Sequence, residues 1–144
     1  MRKLSLGIAL IAALAVSAVA FAAGTPSVRF VTPKANATTH SKVTFTVKLT
    51  NFKIDAKDVG KMKKSHMGHL HFSMDKGKFD YPKYSGANGK LAVQLGIAGK
   101  YSPSVTPSIT YRNLPKGKHL LVVFLANNDH SALGPKASLA FTVK

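Results

Sequence analysis

A stretch of nine residues concentrates the side chains of this chain that could coordinate a metal ion. It reads His66-Met67-Gly68-His69-Leu70-His71-Phe72-Ser73-Met74, so it holds three of the six histidines and two of the four methionines. Successive side chains of an extended strand point to opposite faces. His69 and His71 are therefore predicted to share one face, while the apolar residues that alternate with them are buried on the other. Paired imidazoles are common ligands of transition metals.

Two neighbouring residues could complete this ligand set locally. Met67 has the same parity as His69, provided that the strand extends back to it. Gly68 could instead allow the chain to turn, which would bring His66 towards the pair. A thioether combined with imidazoles suits copper, whereas imidazoles alone suit zinc or copper.

A more distant ligand is predicted in the segment Asn127-Asn128-Asp129-His130-Ser131, which follows the most apolar run of the domain. In a β-sandwich, a loop at that position can approach the end of another strand. Asp129 could then accept a hydrogen bond from a coordinating imidazole. His119 is a weaker candidate, and His40 is predicted to be solvated. The predicted metal ligands are therefore His69, His71, His66, Met67 and His130, and the predicted ion is copper or zinc.

The same histidines also have a purely structural interpretation. A His-x-His pair on the wet face of a strand can be ordinary surface, and His130 can cap its own loop. Lys61, Lys63 and Lys64 lie close in the sequence. Their positive charge disfavours a bound cation within one Debye length, which is about 8 Å at physiological salt.

The charge of the chain is strongly positive, with 21 Lys and Arg against five acidic residues and a net charge of +16. Most of the cations are lysines, which are hydrated point charges rather than the planar forks that arginine offers to phosphates and base edges. The excess therefore predicts loose attraction to anionic cell-envelope polymers and argues against sequence-specific nucleic-acid recognition. The chain has no cysteine, which excludes disulfides, thiolate metal sites and the cysteine ligand of blue-copper centres.

The N-terminal segment predicts export. Arg2 and Lys3 precede the apolar residues 4–19, and Ala20-Phe21-Ala22 is a small-x-small cleavage site. The predicted organisation is a signal peptide at 1–22, a linker at 23–27 and a single domain at 28–144. An uncleaved anchor is the alternative, because the apolar run is long enough to span a bilayer. No later apolar segment is long enough to span a bilayer. The predicted location is the periplasm, the cell envelope or the exterior.

Short alternating patterns recur through the rest of the chain and predict seven or eight β-strands with no helix. Residues 43–50 alternate cleanly, and residues 91–95 do so after an Asn-Gly turn signal. Residues 119–126 are the most apolar run and predict a central strand buried on both faces. The closing hairpin resembles that of immunoglobulin-like and cupredoxin-like folds. The predicted fold class is thus an all-β, immunoglobulin-like or cupredoxin-like antiparallel β-sandwich.

Three motifs together resemble a known family. Gly68-His69-Leu70-His71-Phe72, Leu114-Pro115-x-Gly117-x-His119-x-Leu121 and Asn127-Asn128-Asp129-His130-Ser131 are similar to segments of a family of small exported bacterial proteins with no established activity. The resemblance covers the domain from about Val43 onward. It implies a signal peptide, a β-sandwich and a link between the two histidine segments, and it supplies no reaction.

Enzymatic interpretations find less support. The Gly-x-His-x-His pattern resembles a strand of copper–zinc superoxide dismutases, but the remaining ligands and the cysteines of that enzyme have no counterpart here. With five Asp and no Glu, the chain has few carboxylates that could form a catalytic pair. The Gly-x-Ser-x-Gly motif of serine hydrolases is absent from the sequence. The sequence therefore favours a non-enzymatic binding module. The alternatives are a lysine-rich envelope protein that binds anionic polymers and a copper-dependent redox enzyme.

Overall fold

Strands account for nearly all of the regular structure in the computed structural model, which describes residues 24–79 and 101–144. Within these residues the other regular element is one 3-10 turn at Asp75–Gly77. The strands are β1 (Ser27–Thr32), β2 (Thr38–Thr39), β3 (Val43–Thr50), β4 (Lys53–Ile54), β5 (Met67–Met74), β6 (Ser102–Ser104), β7 (Ser108–Tyr111), β8 (Gly117–Asn127) and β9 (Ala132–Val143). The all-β prediction is confirmed.

The strands form two sheets with the partition of an immunoglobulin-like domain. The small sheet has the order β1-β3-β7, and the large sheet has the order β2-β9-β8-β5-β4, with β6 also paired to β5. In that fold, β1, β3 and β7 correspond to strands A, B and E, and β5, β8 and β9 correspond to strands C, F and G. Their pairings are antiparallel, whereas the two-residue strands β2 and β4 pair in parallel with β9 and β5.

The core lies between the two sheets and is rich in aromatic side chains. The ring of Phe45 contacts the edges or faces of three other aromatic rings, with centroid separations of 6.4 Å to Phe30, 6.0 Å to Tyr111 and 5.0 Å to Phe141. From the large sheet, alternate residues of β5 and β8 fill the space opposite, and each is essentially inaccessible to solvent: Leu70, Phe72, Met74, Leu121, Val123 and Leu125. The predicted apolar face of the histidine strand is therefore the core face.

The prediction that residues 119–126 form a strand buried on both faces is wrong. Strand β8 is central, because β5 and β9 flank it. However, Leu120 on its outer face is 46% exposed, and Val122 and Phe124 are only half-buried. In a two-layer sandwich just one face of each sheet packs against the core. The apolar outer face of β8 is therefore not explained by the sandwich core.

Some predictions concern residues outside the described ranges. These are the signal peptide at 1–22 and the strand expected around residues 91–95. The domain boundaries therefore stay predictions. Within residues 24–79 and 101–144, no helix has the length and apolar character needed to cross a bilayer.

Candidate metal centre

Three histidine rings meet on the outer face of the large sheet. Nε2 of His69 lies 2.8 Å from Nε2 of His71 and 3.0 Å from Nδ1 of His130, and the third side of this triangle of nitrogens measures 3.2 Å. The side chains are buried, with relative exposures of 0%, 5% and 8% respectively. The structure thus brings three of the five predicted ligands together, in an arrangement able to hold a metal ion.

Two local features position these rings. Side chains alternate along β5. Leu70 therefore points into the core, and His69 and His71 both project from the outer face. His130 belongs to the tight turn between β8 and β9, in which its N–H donates to the Asn127 carbonyl at 3.0 Å. Its backbone adopts a left-handed conformation with φ of 65°, which histidine tolerates better than most residues. The turn places the His130 ring beside β5.

The turn also fixes the role of Asp129. Its Oδ1 accepts hydrogen bonds from the Ser131 N–H at 3.0 Å and from the Ser131 hydroxyl at 2.6 Å. Its Oδ2 lies 3.7 Å from Nζ of Lys63. The expectation that Asp129 orients a coordinating imidazole is therefore wrong, since the carboxylate instead stabilises the turn that carries His130.

No placement of hydrogens on the three converging nitrogens can make all three of their contacts hydrogen bonds. Each nitrogen either carries a hydrogen or presents a lone pair. Because there are three nitrogens and only two states, at least two of them share a state. Two lone pairs or two N–H groups then face each other at 3.2 Å or less, which is repulsive. A cation that accepts all three lone pairs removes this conflict.

Burial keeps the rings neutral, as metal binding requires. Desolvation, with a smaller contribution from the neighbouring His130, lowers the pKa of His69 to about 4. Desolvation likewise lowers the pKa of His71 to about 3, with added repulsion from the other two rings. Burial also lowers the pKa of His130, against the opposing charge of Asp129. At neutral pH all three rings therefore offer lone pairs.

The outer nitrogens of two rings lack partners. Nδ1 of His69 and Nε2 of His130 are buried without a hydrogen bond to any of the described residues. Leaving a buried polar atom unpaired costs about 1–3 kcal/mol. A buried cluster with crowded and unpaired nitrogens is typical of a functional site rather than of a site optimised for stability.

The lysines near the cluster are each paired with an aspartate. Nζ of Lys61 lies 2.7 Å from Oδ1 of Asp58, whose other oxygen accepts a hydrogen bond from Lys64. Lys64 also lies 3.2 Å from Asp55, and Lys63 is the partner of Asp129 described above. The two lysines lower the pKa of Asp58 to about 2, Lys61 having the larger effect. The sequence-based argument that these lysines repel a cation is therefore weakened by their aspartate partners.

The other histidines and Met67 are not part of the three-ring group. His66 is outside the three-ring group; its backbone is left-handed, and its carbonyl accepts the Lys53 N–H at 2.9 Å. Met67 begins β5, half-buried, on the face that carries His69. His119 is structural, because Nδ1 lies 2.7 Å from the Asp75 carboxylate and Nε2 lies 2.8 Å from the Pro115 carbonyl. His40 is exposed, as predicted.

Sequence reasoning missed Tyr101. Its ring stacks on that of His71, with centroids 5.4 Å apart and planes inclined by 18°. The His71 ring also stacks on that of His130, with centroids 5.4 Å apart and planes inclined by 26°. Tyr101 directly precedes β6, which pairs with β5, and this pairing brings it to the cluster. No feature of its local sequence indicates the contact.

The buried ring cluster has a consequence for acid stability. An imidazole in an unfolded chain has a pKa of about 6.5, whereas His69 and His71 in the folded protein have values of about 4 and 3. The folded state thus binds fewer protons, so the stability of the metal-free protein should fall as the pH drops from about 6.5 towards 4, by roughly 1.4 kcal/mol per pH unit for each ring.

Urea unfolding of the metal-free protein between pH 7 and pH 4 measures this effect. The decline should be shallower in His71→Leu, which removes one of the buried rings. In His40→Leu, which removes an exposed ring, the decline should match that of the unmodified chain. Equal slopes in all three proteins would contradict the assignment of the acid sensitivity to the cluster.

Comparisons with known proteins add little to this geometry. No protein-family model matches the chain, and no curated protein matches it. Among solved structures it is similar to the fibronectin(III)-like modules of Clostridium thermocellum CbhA, with a TM-score of 0.44 and 16% sequence identity. That match covers 81% of this chain and 96% of the module. The site therefore has to be interpreted from its own residues.

Proposed function

We propose that this chain is an exported, non-enzymatic binding module that holds one transition-metal ion through His69, His71 and His130. The observation that supports it is the triangle of nitrogens, in which three buried and neutral imidazoles converge within 3.2 Å. Export is supported by the N-terminal sequence. A binding role, rather than catalysis, is supported by the engagement of the neighbouring Asp129 carboxylate with Ser131.

The donor set favours copper(II), with zinc as the competing ion. Imidazole suits both metals, and the affinity of a given nitrogen site is usually greatest for Cu²⁺ among the divalent first-row metals. His69, His71 and His130 would hold the ion through their three converging nitrogens. With three protein ligands, the ion would be able to take a further ligand.

Metal content is the direct test. Protein purified without a histidine tag, titrated with Cu(II) and then dialysed, should retain one equivalent of copper by elemental analysis. Zinc should bind at the same stoichiometry and be displaced by copper. Retention of well under one equivalent of either metal would contradict the proposal.

A second candidate function rests on how the acidic residues are used. The four aspartates among the described residues all have basic partners: Asp55, Asp58, Asp75 and Asp129. With only five acidic residues in the whole chain, most of the lysine charge has no acidic counterpart. This excess is suited to non-specific attraction to anionic envelope polymers.

Polyanion binding should depend steeply on salt. Each neutralised charge releases a counterion, so affinity for an anionic polymer such as heparin should fall about 10-fold or more between 50 and 200 mM NaCl. Elution from heparin and from isolated cell-envelope material measures this dependence. Retention that is unchanged over this range would exclude the charge excess as the cause.

A further inference from the structure

The outer face of β5 and β8 continues beyond the histidine rings as an apolar groove. His71 is the cross-strand neighbour of Phe124, and the next pair along the same face is Ser73 and Val122. Leu120, Val122 and Phe124 form the floor of a cavity of about 550 Å³, and Tyr101 contributes a wall. From Phe124 to Leu120 the floor is about 13 Å long, at 3.3 Å per residue.

Tyr101 joins the groove to the metal site. One face of its ring stacks on His71, at a centroid separation of 5.4 Å. Phe124 meets the same ring edge-on, with centroids 5.5 Å apart and planes inclined by 79°. The side chain therefore borders both the candidate ligand His71 and the apolar floor, so a single ring lies between the metal site and the groove.

The composition of the groove indicates the kind of molecule it accommodates. Its floor is aliphatic and aromatic, and Leu120 is 46% exposed on a chain that otherwise carries a large excess of lysine. Lys76 lines the cavity together with Asp75, and the Asp75 carboxylate is already hydrogen-bonded to His119 and to the Leu120 N–H. A cavity of this volume matches those that hold small organic ligands.

We propose that the groove binds a small, flat apolar molecule carrying a donor atom that completes the coordination of the metal ion. This inference rests on the proposed metal function and extends it to a ligand class. The donor group of the molecule would bind the ion held by the three imidazoles, and its apolar body would lie along Phe124, Val122 and Leu120. This occupancy also accounts for the half-buried apolar face of β8, which the sandwich core does not use.

Two probes that share a donor and differ in their apolar part test this inference. Imidazole and 4-phenylimidazole are titrated into the copper-loaded chain, and the copper absorption and paramagnetic resonance spectra report coordination. Burial of the phenyl group should make 4-phenylimidazole bind at least about 10-fold more tightly than imidazole. Copper content after dialysis verifies that the probes have not extracted the metal.

Matched variants place the effect in the groove. Val122→Asp puts a charge on the groove floor and should reduce the preference for 4-phenylimidazole to about 1-fold while copper content stays unchanged. Val105→Asp makes the same change at a valine outside the groove lining that is 43% exposed, and it should keep the full preference. Equal affinities of the two probes for the unmodified chain, or a preference that survives Val122→Asp, would overturn the inference.

The metal titration separates this result from the proposed function. If copper binds stoichiometrically and the phenyl group adds nothing, only the groove ligand is excluded. If copper does not bind before any probe is added, the proposed function fails, and the inference fails with it.

Discussion

His69→Ala combined with His71→Ala is expected to abolish stoichiometric copper binding and to leave the domain folded. The two substitutions remove two of the three nitrogens that converge within 3.2 Å. Loss of residues that merely orient metal ligands typically lowers affinity by about 10–100-fold, so removal of two ligands should lower it by at least about 100-fold. Isothermal titration calorimetry with Cu(II) measures the change.

A control with the same number of lost imidazoles sharpens this test. His40→Ala combined with His66→Ala also removes two histidines, but neither belongs to the three-ring group. This variant should bind copper like the unmodified chain. Circular dichroism of both variants establishes that the sandwich persists, and His69→Leu with His71→Leu serves if the alanine pair leaves too large a void. Unchanged copper affinity in the folded His69/His71 variant would refute the proposed site.

Gly68→Ala is expected to destabilise the domain by about 3 kcal/mol. A Cβ atom at this position would lie 2.0 Å from the carbonyl oxygen of Ala126 and 3.1 Å from Cα of Asn127. Both atoms belong to the backbone of β8, so no side-chain rotation can relieve the overlap. Strands β5 and β8 would have to separate locally, at the end of the ladder that carries His69. Urea unfolding measures the loss, and copper affinity should fall as well.

Gly134→Ala provides the matched control. Its backbone φ is +106°, but no atom would lie within 4 Å of an added Cβ. This substitution therefore tests conformational strain alone, for which about 1 kcal/mol is expected, and it should leave copper affinity unchanged. If the urea midpoint of Gly68→Ala equalled or exceeded that of Gly134→Ala, the close approach of β5 to β8 would not be a significant constraint.

The features that follow a local period could be predicted from the sequence. Alternation placed His69 and His71 on one face and their apolar neighbours on the other, because side-chain direction in a strand depends only on parity. The short strand β6 could not be predicted in this way. It contains Pro103 and is held by pairing with β5, so tertiary contact rather than local propensity determines it.

Hydrophobicity alone also failed to distinguish the two faces of β8. Leu121 and Leu120 are chemically alike, yet one is fully buried in the core and the other is 46% exposed. Contacts between segments distant in the sequence cannot be predicted from local patterns either. Asn128, which is fully buried, donates to Asp55 at 3.3 Å across 73 positions, and Tyr101 reaches His71 only through sheet pairing. The approach of His130 to β5 can be predicted only because the loops of a sandwich gather at its ends.

The three imidazoles differ in how firmly the chain holds them. Those of His69 and His71 belong to a strand that is hydrogen-bonded to neighbours on both sides, whereas that of His130 is carried by a hairpin turn. Turns open at far lower free energy than central strands. If the proposed ion binds here, its exchange would need only a small movement of this turn while His69 and His71 keep their positions, and its rate would not be tied to global unfolding.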